Sequence, residues 1–143
     1  MEKIFFKFNV VDDYPPVSME SVWSERMDSG LFRIGNIPFY TKDASLGDAV
    51  SAEIGVDGEL IFKGVVVPSE NSTFRIVIFD DGVNQIQKVL GALVEMGCAW
   101  EGMGDRFYSF NVPGDVDFDD VLVLLDRYVQ ANWLDYEYGM IRQ

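Results

Sequence analysis

From the first residues to about Val67, apolar positions come in short runs divided by turn residues, and the three-and-four spacing of a helix is absent. Ile4–Val10 alternates in part and is rich in Phe. Ser18–Met27, the turn Asp28-Ser29-Gly30 and Leu31–Ile34 predict one hairpin. Asp48–Ile54 and Leu60–Val67 predict a second, joined through Val56-Asp57-Gly58, where an Asp-Gly pair supplies the positive φ of a tight turn. Short strands with no helix to lie on bury their apolar faces by bending the sheet onto itself. Residues 1–72 are therefore expected to form a small all-β, barrel-like lobe.

The rhythm changes after Pro68-Ser69-Glu70-Asn71-Ser72. Thr73–Asp80 reads as a strand. Ile86, Val89, Leu90, Leu93 and Val94 then recur at helical spacing up to a stop at Gly97. Cys98–Glu101 and Arg106–Val112 predict a hairpin around Gly102-Met103-Gly104-Asp105. Phe118, Val121, Leu122, Leu125, Tyr128 and Val129 mark a second helix, and Leu134–Ile141 a last strand. The order βαββαβ is the ferredoxin-like arrangement. The expected chain is thus α+β, a barrel-like lobe packed on a ferredoxin-like lobe of residues 73–143 as one cooperative unit. In such a lobe Phe74, Ile76, Ile78, Tyr108, Phe110 and Val112 lie under the helices. Arg75, Val77, Phe79, Phe107, Ser109 and Asn111 occupy the other face, which the first lobe is expected to cover. Residues 73–143 alone should then self-associate through Val77, Phe79 and Phe107.

Composition narrows what such a chain can do. Its 143 residues are 48% hydrophobic, enough for a sizeable core, so acidity does not mean disorder. Against 24 Asp and Glu stand 11 Lys and Arg, with no His, for a net charge of -13. Both halves carry it, with 6 basic and 12 acidic residues through Ser72 and 5 and 12 after it. Nucleic acids and anionic membranes are gripped by Lys and Arg, so neither is an expected partner. No stretch approaches the roughly 18 apolar residues of a membrane span, and Met1–Tyr14 is too short and interrupted for a signal peptide. A single Cys forms no intrachain disulfide, which fits a reducing cytoplasm. Without His and with one Cys, imidazole catalysis, Cys-His nucleophiles and the usual zinc sites are excluded, and no cofactor is called for.

Several segments together resemble a bacterial family, domain of unknown function family 4265. They are Tyr14-Pro15-Pro16-Val17 with Glu20-Ser21-Val22-Trp23, then Asn36-Ile37-Pro38-Phe39, Gly47-Asp48-Ala49-Val50, and Gly97-Cys98. The family pattern often has Ser-Gly-His where this chain has Ser69-Glu70-Asn71, so a role for that His has no residue here to carry it. The resemblance implies a shared fold and a bacterial cytosolic setting, and it brings no activity with it.

Carboxylates are the remaining chemistry. Asp115, Asp117 and Asp119 stand at positions 1, 3 and 5 of a calcium-loop spacing and Asp126 at position 12. The spacing fails at position 6, where Asp120 replaces the turn Gly, and at position 12, where Asp replaces a bidentate Glu. The better reading caps the second helix with Asp117 and places Asp120 at its third position, where acids meet the positive end of the helix dipole. No metal site is expected. Since no Lys or Arg occurs from Phe107 to Asp126, the acids Asp115, Asp117, Asp119, Asp120 and Asp126, with Asp135 and Glu137, form the candidate partner-binding surface. Phe79 and Phe107 occupy the strands that carry stacking aromatics in RNA-recognition modules, but the charge opposes RNA. Cys98 reads as a buried inert thiol, Gly102-Met103-Gly104 as a hairpin turn, and Trp133, Tyr136 and Tyr138 as packing residues with an alternative use as interface anchors.

Three functions follow in order. The first is a non-catalytic cytosolic binding protein, an immunity protein that covers a basic toxin domain. The second is a module sensing a small ligand between lobes. The third is a carboxylate-dependent enzyme, for which no pair of acids is singled out.

Overall fold

The computed structural model describes residues 1–143 as two compact units, Met1–Ser69 and Glu70–Gln143. The chain is a mixed α+β protein with a closed five-stranded barrel, a separate four-stranded sheet and two α-helices. No helix is long and apolar enough to cross a membrane.

In the first unit, β1 (Glu2–Lys7), β2 (Met19–Arg26), β3 (Phe32–Ile34), β4 (Ala49–Ile54) and β5 (Leu60–Val67) follow one another as an antiparallel meander. Closure is made by a short parallel pairing of β1 with β5 at Ile4↔Leu60 and Phe5↔Ile61. The curvature has a local source. Ala49 pairs with Val67 but Val50 with Val65, and Ser51 pairs with Gly64 but Ala52 with Phe62, so Val66 and Lys63 are extra residues on β5. Each bulge bends the strand and adds twist. Ile4, Phe6, Val22, Phe32, Ile34 and Val50 fill the interior, with Phe62 stacked on Phe6 at 4.5 Å and Ala44 entering from the β3–β4 loop. Both predicted hairpins form, and Gly58 takes the positive φ (81°) that the β4–β5 turn requires. The first strand differs from expectation in that it starts at Glu2 and ends at Lys7 instead of running to Val10.

The second unit is built from β6 (Ser72–Ile78), a 3-10 turn (Asp80–Gln85), α1 (Ile86–Glu95), β7 (Ala99–Met103), β8 (Phe107–Val112), α2 (Phe118–Gln130) and β9 (Leu134–Tyr138). Its sheet is antiparallel with order β7-β8-β6-β9. Phe74, Ile76 and Ile78 of β6 and Tyr108, Phe110 and Val112 of β8 join Val89, Leu90 and Leu93 of α1 and Val121, Leu125 and Tyr128 of α2 in one core. Phe74 stacks on Phe110 at 4.8 Å and meets Phe118 edge-on at 6.3 Å. Val94, grouped with the apolar stripe by spacing, lies at its margin and is exposed.

Both helices stop in the same way. Beyond α1, Cys98 N–H donates to Leu93 C=O and Gly97 N–H to Val94 C=O, with Gly97 at φ 108°. Beyond α2, Trp133 N–H donates to Tyr128 C=O and Asn132 N–H to Val129 C=O, with Asn132 at φ 61°. These are Schellman caps, the second using Asn in place of Gly.

In the second unit three features end elsewhere than the sequence predicts. The β7–β8 turn is Gly104-Asp105-Arg106, with Gly102 and Met103 inside β7. Gly102 pairs with Tyr108, and a Cβ there would approach the Tyr108 ring to 3.1 Å, so the glycine serves ring packing and the turn lies further on. The strand predicted to reach Asp80 ends at Ile78, and Phe79 leads into the 3-10 turn. The last strand ends at Tyr138 rather than Ile141, although Gly139 N–H still donates to Thr73 C=O and Arg142 N–H to the Ser72 hydroxyl oxygen.

Candidate functional site

The start of α2 is organised by its cap. Asp117 has extended backbone, and its carboxylate accepts from the Asp119 N–H at 2.9 Å, while Asp119 and Asp120 occupy the first turn. Asp126 lies nine residues beyond Asp117, about 13 Å by helical rise, so the calcium-loop spacing is spread down a helix and cannot close round an ion. Asp117→Ala should cost about 1 kcal/mol in denaturant unfolding, and millimolar calcium should leave that difference unchanged.

Beside the cap lies an open groove of about 340 Å³, lined by Asp117, Phe118, Asp119, Leu122, Tyr138, Ile141 and Gln143. Tyr138 sits 6.1 Å from Phe118, ring to ring. The Gln143 amide donates to Pro113 C=O at 2.7 Å and Val116 C=O at 2.8 Å, tying one wall to the loop that precedes the cap. An apolar floor with two carboxylates on its rim suits a side chain that is both cationic and long, such as Arg or Lys.

The seven candidate acids do not form one patch. Asp117 and Asp119 line the groove, while Asp115 and Asp120 are exposed near it without lining it. Asp126 accepts a hydrogen bond from the Tyr136 hydroxyl at 2.9 Å. Burial first, and the Asp126 carboxylate second, push that hydroxyl well above the usual tyrosine range. Asp135 and Glu137 depart from the predicted surface. On β9 they alternate with Leu134 and Tyr136, both of which pack in the helix-side core, so they point to the sheet's other face. There Asp135 accepts from the Tyr136 N–H and Glu137 pairs in register with Arg75. Two-residue alternation separates them from acids presented by a helix.

Arg75 is the residue the sequence reading undervalued. It is 1% exposed, and its guanidinium lies so close to Gly139 that a Cβ there would come within 2.9 Å of Nη1. Its neighbours on that face, Thr73, Ser109 and Asn111, are also buried. Polar residues at alternate positions of β6 and β8 were the available signal.

The family profile described as Domain of unknown function (DUF4265) matches residues 20–136. The chain belongs to the DUF4265 family. A solved structure titled "Novel crystal structure of a hypothetical protein from Neisseria gonorrhoeae" is 26% identical, with a TM-score of 0.85 over 98% of this chain and 94% of that one. None of the curated proteins matches the chain.

In this DUF4265 chain, three of the segments that carry the family resemblance, those with Glu20, Asn36 and Asp48, fasten the barrel unit. The Glu20 carboxylate accepts from the backbone N–H groups of Phe39 (2.7 Å), Tyr40 (3.1 Å) and Thr41 (2.8 Å). The Asn36 side-chain oxygen accepts from Trp23 N–H at 2.8 Å. Asp48, fully buried, accepts from the N–H groups of Ser45 and Ser69, each at 2.8 Å. A long loop must satisfy its backbone donors somewhere, and here acidic side chains do so. In the second unit, the Asn71 side-chain oxygen accepts a 3.4 Å hydrogen bond from the Asn111 side-chain amide.

Cys98 follows the α1 cap and is buried, and burial raises its thiol to about 11. A folded-state value raised above the free value keeps the thiol protonated at neutral pH and disfavours the fold only as pH climbs past about 9. At pH 8 iodoacetamide should alkylate native Cys98 on the order of a hundredfold more slowly than urea-unfolded Cys98, from the thiolate fraction alone. Equal rates would contradict the burial of this thiol.

Proposed function

We propose that this DUF4265 protein is a non-catalytic binding protein that covers a basic surface of a partner protein, as an immunity protein covers a toxin domain. The observation that carries the reading is the groove at the start of α2, where Asp117 and Asp119 stand over an apolar floor of Phe118, Leu122, Tyr138 and Ile141. A cationic side chain entering it would gain apolar contact for its stem and a carboxylate for its head. The net charge of -13 adds long-range attraction toward a cationic site, which raises the encounter rate more than the final affinity.

We further infer a ferredoxin-like second unit and a cytoplasmic setting. The element order from β6 to β9, the sheet order β7-β8-β6-β9 and helices that share one core support a ferredoxin-like second unit. The lone buried thiol suits the cytoplasm.

The test is affinity capture from the source cell with the partner identified by mass, followed by association kinetics. Asp115→Lys with Asp119→Lys should slow association about tenfold at low salt, and raising salt to 0.15 M, where the screening length is about 8 Å, should slow the unaltered pair. Asp117 and Asp120 are left intact because they support the helix start. A partner indifferent to both changes would reject the electrostatic reading.

A further inference from the structure

The sheet of the second unit carries ordered rows on the face away from its helices. One runs Glu101–Ser109–Arg75–Glu137 across β7, β8, β6 and β9. The next runs Met103–Phe107–Val77–Asp135. Phe79 continues the alternation two residues beyond Val77, in extended backbone. The two rows contrast in exposure. Arg75 and Ser109 are buried, whereas Val77 is 48%, Met103 47% and Phe79 37% exposed. Three large apolar side chains on one face exceed the scattered exposure that a protein surface ordinarily shows.

Charge chooses the occupant. Asp135 ends the row on β9, and the exposed Asp105 lies two residues beyond Met103 at its other end. Arg106, at the end of the β7–β8 turn, is already paired with Asp80 at 2.6 Å. A second copy of this chain would set one acidic rim against another, and each copy carries -13. An apolar row edged with carboxylates instead complements an apolar row edged with cations.

We propose that the row of Met103, Phe107 and Val77, extended by Phe79, is a docking surface for an extended protein segment with apolar side chains on one face and Lys or Arg on the other. It rests on the reading of a basic protein partner and adds a second contact surface to the α2 groove. The leucines of an alternating Lys-Leu strand would cover the row, while its end lysines, whose long stems bend back round the edges, would reach Asp135 and Asp105.

The test titrates the ¹⁵N-labelled full chain with three nine-residue peptides, of alternating Lys-Leu, Lys-Ser and Glu-Leu. The Lys-Leu peptide should shift the amides of Val77, Phe79, Met103 and Phe107 and bind at least about tenfold more tightly than Lys-Ser, and Glu-Leu should not bind. Val77→Ser with Phe79→Ser should weaken Lys-Leu binding about tenfold, and Val77→Thr alone, a milder change, by a smaller factor. Lys-Leu and Lys-Ser binding alike, with shifts confined to Asp117–Leu122, would overturn this inference and leave the groove reading standing. Shifts at the row with none at the groove would support the inference and reject the groove. No binding by any peptide would overturn both.

Discussion

Gly82→Ala is expected to destabilise the protein by about 3 kcal/mol, whereas Gly91→Ala should stabilise it by about 0.5–1 kcal/mol. Gly82 lies in the 3-10 turn, buried against the segment that follows α2, and a Cβ there would stand 2.8 Å from the carbonyl carbon of Trp133. The obstacle is backbone, which cannot rotate aside. The same Trp133 C=O accepts from Phe79 N–H at 2.8 Å, so pushing the chains apart also strains a bond that joins the ends of β6 and α2. Gly91, on the exposed side of α1, has no atom within 4 Å of an added Cβ. There Ala only removes conformational freedom from the unfolded chain. Urea unfolding of the two variants should give midpoints on opposite sides of the wild type, and a neutral Gly82→Ala would contradict the close approach.

Asp48→Ala should cost about 3–4 kcal/mol, an effect comparable to truncating a buried apolar side chain of the barrel core. The carboxylate is fully buried and satisfies two backbone donors, Ser45 N–H at one end of the β3–β4 loop and Ser69 N–H beyond β5. Removing it leaves both donors without their acceptor and opens a polar cavity beside Ser45, itself buried. Asp48→Asn keeps one acceptor oxygen but turns an NH₂ toward the other donor, so it should recover only part of the loss. Asp57→Ala, at the exposed β4–β5 turn, should change stability by no more than about 0.5 kcal/mol. Denaturant midpoints check all three, and a loss for Asp48→Ala as small as that for Asp57→Ala would remove the fastening role.

Inward and outward positions of β6, β8, α1 and α2 were legible in the chain because a two-residue or three-and-four repeat follows from backbone geometry alone. The same holds for the β4–β5 turn at Gly58 and for the Asp117 cap, whose partners lie within a few residues of each other. A barrel-like lobe was legible, but the pairing that closes it was not. It joins Ile4 to Leu60 across most of the first unit and depends on two bulges in β5 that leave no repeat in the sequence. Nor could charge spacing tell which acids share a surface. Asp117 and Asp119 face a groove made in part by Tyr138 and Ile141, while Asp135 and Glu137, three and one residues before Tyr138, point the other way. Glu20 and Asp48 read as ordinary acids until distant loops bring N–H groups to them, and Gly82 reads as a turn glycine until Trp133 lies against it. A residue's periodicity is written by its neighbours in sequence, but its hydrogen-bond partner and the room for its side chain are set by segments that meet only once the chain has folded.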